Sequence, residues 1–174
     1  MRQETEAKGA TLPAGHSDEL SALLADLDAM VGKTRDHRAA LDRYAELRPQ
    51  LLAYEKSLRP AMSSLDSTVA VLNAIHDMKG PEMSDLERAS RALTKAAARF
   101  AALAPPETMN DVHATFISAV HLAQEACRRR VLALAANQDF RLSGEAAASA
   151  AGATMLVEQA RANLVARLYP PKVR

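Results

Sequence analysis

Aromatic side chains are nearly missing from this chain. They make up 3% of its 174 residues, and tryptophan is absent. Strands favour aromatic and β-branched residues, so a core this poor in them excludes most β-sandwiches and barrels. Six glycines in the whole chain are also too few for a turn-rich β fold. One cysteine, Cys127, excludes an internal disulfide and any multi-cysteine metal site. It falls on an apolar helical stripe, where a buried, inert thiol is the expectation. Neither sign of charge is in excess: 22 basic residues face 21 acidic ones, for a net charge of +1. No global field therefore draws the chain to nucleic acid or an anionic membrane, and nucleic-acid binding through stacked bases would also need aromatics.

Recognisable chemistry is scarce too. The sequence has no Gly-rich phosphate loop and no Gly-x-Ser-x-Gly elbow. It has no Glu-x-x-His pair for a di-iron bundle and no Cys-x-x-Cys-His for covalent haem. The chain thus reads as a non-enzyme without a cofactor or metal. The small-residue run over 146–157 falls short of the ~20 residues that a bilayer span needs. Residues 1–16 lack the apolar core of a signal peptide. Both point to a cytoplasmic protein. The excess of arginine over lysine, 16 against 6, suggests a bacterial source of high GC content.

What the sequence does have is helical periodicity. Thr108 to Asn137 follows the Pro105-Pro106 step, with Thr108 as expected N-cap and Asp111 near the positive end of the dipole. Phe116, Val120, Ala123, Cys127, Val131 and Leu134 recur at steps of three and four, which keeps one helix face apolar. Upstream, Leu20, Leu23, Leu27, Met30 and Thr34 make a heptad-like seam. A second stripe runs from Leu51 through Leu58, Leu65 and Leu72 to Ile75, with a kink or break expected near Pro49 or Pro60. Gly80-Pro81 ends it. Ser84 and Glu87 have capping-box spacing ahead of a helix with Leu86, Leu93 and Phe100 on its buried face. Asp139 to Gly144 reads as a connection and Glu145 to Leu168 as the last helix. Its small residues over 146–153 predict the tightest helix crossing of the fold.

The expected architecture is all-α: an antiparallel up-and-down bundle of four to five long helices. One domain over 17–169 is expected, with a disordered tail at 1–16 and a short one at 170–174.

Two groups of residues are candidates for function. Arg88, Arg91, Lys95 and Arg99 share a helix face and would suit an anion or an acidic partner. Asn73, His76, His113 and Gln124 are candidates for an interhelical ligand site, since bundle cores host ligands between helices. Arg128, Arg129 and Arg130 point in different directions, and Arg130 is expected to snorkel from the edge of the apolar stripe. The leading reading is an interaction or scaffolding module that binds another protein or itself through apolar helix faces. The alternative is a sensor bundle that binds a small molecule or a metal.

Overall fold

A computed structural model describes residues 14–137 and 139–170. They form five α-helices and no strand: α1 (Ala14–Asp66), α2 (Val69–His76), α3 (Met83–Ala101), α4 (Asn110–Ala135) and α5 (Phe140–Leu168), with a 3₁₀ turn at Glu107–Met109 before α4. The fold is an all-α bundle. The chain divides into two compact units at Ala45–Glu46: a body over 46–170, and a unit whose described part is residues 14–45 of α1. The expected tail over 1–16 lies mostly outside the described residues, and its last three already belong to α1.

In the body, α4 and α5 make the largest interface. Ala119, Ala123, Ala126 and Ala133 of α4 are fully buried, as are Ala146, Ala150, Ala153 and Ala160 of α5. With no bulk on either face, the backbones come close, as the run over 146–153 predicts. A β-carbon added at Gly152 would lie 3.2 Å from Leu122 Cδ1, so the glycine makes room for that leucine. The pairs Arg129–Glu145 and Asp111–Arg167 join opposite ends of the two helices, which makes them antiparallel. α3 crosses α4 in the same sense: Phe100 stacks on Phe116 with centroids 5.5 Å apart. The body's part of α1 reaches the core through longer side chains, Leu51, Tyr54, Leu58 and Leu65, all buried.

Helix ends differ from the sequence pattern in four places. α1 runs unbroken through Pro49 and Pro60. Each proline removes the donor to the carbonyl four residues back, but those carbonyls belong to the exposed Ala45 and Lys56, which are open to solvent. The break comes instead at Ser67-Thr68. There the hydroxyls of Ser67 and Thr68 donate to the carbonyls of Ser64 and Leu65 and compete with the backbone ladder. α3 begins at Met83 with Glu82 as N-cap and no side-chain cap bond, so Ser84 is not the cap. Thr108 lies in the 3₁₀ turn and caps nothing. α5 starts five residues earlier than the pattern suggests, because the Asp139 carboxylate accepts from the amides of Arg141 and Leu142.

Candidate functional site

The four bases of the α3 stripe have three different surroundings. Arg88 pairs with Asp85 at 3.3 Å and Arg91 with Glu87 at 3.7 Å, each a local pair along the helix. Arg99 turns inward, and one of its Nη atoms donates at 2.6 Å both to the Pro60 carbonyl and to Ser64 Oγ. It fastens α3 to α1 across the carbonyl that precedes the break in α1. Lys95 stays exposed. Two bases are thus matched by acids one turn away and a third is structural, which leaves one lysine.

The four residues of the proposed interhelical ligand site fall in separate places. Asn73 and His76 are exposed on α2, and His76 Nδ1 lies 3.3 Å from an Asp77 carboxylate oxygen. Gln124 is half-buried and lines an open groove between α3 and α4 with Ser90, Thr94 and Arg128. His113 is buried, with Nδ1 2.9 Å from the Tyr54 hydroxyl and its ring edge-on to Phe100. The turn after α2 touches Arg130, because a β-carbon at Gly80 would sit 2.7 Å from Arg130 Nη2. Arg130 is 17 residues from His113 along α4, a rise of about 25 Å. His76 and His113 therefore belong to opposite ends of the body. Among the described residues no group of three or more His, Cys, Asp or Glu is placed to hold a metal ion.

Burial sets the chemistry of the inner polar groups. It lowers the His113 pKa below the ordinary value of 6.5 and pushes Tyr54 up to about 12. The pair is thus neutral, with the Tyr54 hydroxyl donating to Nδ1. Burial also pushes the Cys127 thiol up to about 11, against a smaller opposing effect of a hydrogen bond with Ser90. So placed, the thiol is a poor nucleophile.

Two features escaped the sequence pattern. Arg130 does not snorkel: it is 8% exposed, donates to Ser143 Oγ at 3.1 Å, and leaves Nε without a partner. Gly80, at φ +62°, lets the guanidinium lie against the turn after α2. Beside it, Glu125 and Glu145 bind Arg128, Arg129 and Arg141 in a network along α4 and α5. Hydrogen bonds from Arg128 and Arg129 draw the Glu125 pKa down to about 2. All three arginines of the triplet are thus bonded to side chains of α4 and α5.

The second feature lies in the unit over 14–45. Leu20, Leu23, Leu24, Leu27, Met30 and Val31 are between 45% and 62% exposed. At 100° per residue all six fall within an arc of about 120°, so they form one continuous apolar face. The periodicity was legible in the sequence; its exposure was not. Single exposed leucines are ordinary, but a contiguous apolar patch marks an interaction site. No protein family, curated protein or solved structure matches this chain.

Proposed function

We propose that this chain is a non-enzymatic interaction module whose docking element is the helical segment over residues 20–31. One observation carries the reading: six large apolar side chains on one helix face are left in contact with water. An amphipathic helix normally buries such a face. Leaving it exposed favours a partner that covers it, since burying the remaining half of each of these side chains contributes roughly 1 kcal/mol. The absence of catalytic motifs from the sequence and the dispersal of the candidate ligand-site residues agree with a role in binding. No described helix is long and apolar enough to cross a membrane.

The test is photo-crosslinking in cells. A photoactivatable side chain at Leu24 should give a discrete adduct with a second polypeptide. The same side chain at Ala29, which is exposed about 180° around the helix from Leu20, should give none. Equal labelling from both positions, or none from either, would sink the docking reading.

A further inference from the structure

We propose that the partner on this face is a second copy of the same chain, packed antiparallel about a two-fold axis near Met30–Val31. The proposal rests on the reading of residues 20–31 as a docking face and adds what occupies it. The charge pattern decides it. Residues 18–28 carry Asp18, Glu19, Asp26 and Asp28 and no base, a net −4. Residues 33–43 carry Lys33, Arg35, Arg38 and Arg43 against Asp36 and Asp42, a net +2. Reversing a second helix sets the acidic half of each copy against the basic half of the other.

The flanks of the apolar face sharpen the choice. With Leu20 taken as zero, the face extends from about 280° through zero to about 40°. Asp26 and Lys33 lie beside it at about 240° and 220°, and Asp28 and Arg35 beyond its other edge at about 80° and 60°. None of these four has an ion-pair partner among the described residues. In a parallel pair opposite flanks meet at the same level, which places Asp26 near Asp28 and Lys33 near Arg35, like against like. In an antiparallel pair each flank meets its own copy. Asp26 then faces Lys33 and Asp28 faces Arg35, and two-fold symmetry makes each contact twice. Both pairings centre on residues 29–32, and the same axis sets Leu20 opposite Leu41, also an exposed apolar residue.

Sedimentation equilibrium on the full chain should show a dimer that weakens with added salt. Lys33→Asp with Arg35→Asp, both exposed positions, should weaken it about tenfold. Adding Asp26→Lys with Asp28→Lys should restore it. Orientation is read by oxidation: Leu20→Cys alone should not form a disulfide dimer, whereas a mixture of Leu20→Cys and Leu41→Cys chains should. Efficient self-crosslinking of Leu20→Cys would overturn the antiparallel arrangement, as would failure of the restored charge variant. A monomer at high concentration would overturn the second copy as occupant. If Leu24 still crosslinked to a different polypeptide, the docking reading would stand without it; no adduct would end both.

Discussion

Met78 holds a backbone conformation, φ +56°, that residues other than glycine usually avoid. It does so because α2 ends in a Schellman motif: the Lys79 amide donates to the Ala74 carbonyl and the Met78 amide to the Ile75 carbonyl. That motif places its left-handed residue at Met78, where glycine is the usual choice. Met78→Gly should therefore raise the unfolding free energy by about 0.5–1 kcal/mol. Two residues on, the preference is already met. Gly80 is also left-handed, and a β-carbon there would meet Arg130, so Gly80→Ala should lower stability by about 1–3 kcal/mol. Denaturant titrations of the two variants against wild type check both signs; a destabilised Met78→Gly would contradict the described turn. Glycine content alone could not separate the two positions, since the need for a left-handed residue depends on how α2 ends.

Among the helices, α5 shows how one side chain sets a boundary. Asp139 accepts two amides of the first turn, so the helix begins at Phe140 although Phe140 itself is 84% exposed. Asp139→Ala should cost about 1 kcal/mol and fray that turn, read as faster amide exchange over residues 141–145. Unchanged exchange would show that packing, not the cap, holds the start. The pattern of apolar residues in α5 was legible in the sequence from 146 onward. The first turn was not, because it buries few apolar groups and is held by a capping bond. In α1 the expectation is a kink or a break at the prolines. The helix does not break there, because the carbonyls they leave without a backbone donor are on exposed residues, and hydroxyls of Ser67 and Thr68 end the helix instead.

Across the body, stability should depend on pH through His113. Its folded-state pKa lies below the unfolded value of 6.5, so protonation favours the unfolded chain. The contribution is complete above that unfolded value and is lost as pH falls through the lower folded value. Unfolding midpoints should therefore drop between pH 7.5 and pH 5.5, above the range where carboxylates titrate. His113→Gln should flatten that dependence; an equally steep decline in the variant would assign it elsewhere. The position of His113 was legible as a candidate, yet its role was not. Only the placement of Tyr54, 59 residues away in sequence, provides the donor that makes it a satisfied core group.

By itself the sequence determined the helical class, the apolar faces of α3 and α4 and the close crossing at the small residues of α5. Those follow from spacing and side-chain size, which are local properties. The tertiary structure decided which faces are covered. The stripes on α3 and α4 are buried, while the equally regular stripe over 20–31 meets water. It also decided which charges are matched, turning Arg99 and Arg130 inward. Periodicity states that a face is apolar; what covers it depends on segments distant in the chain.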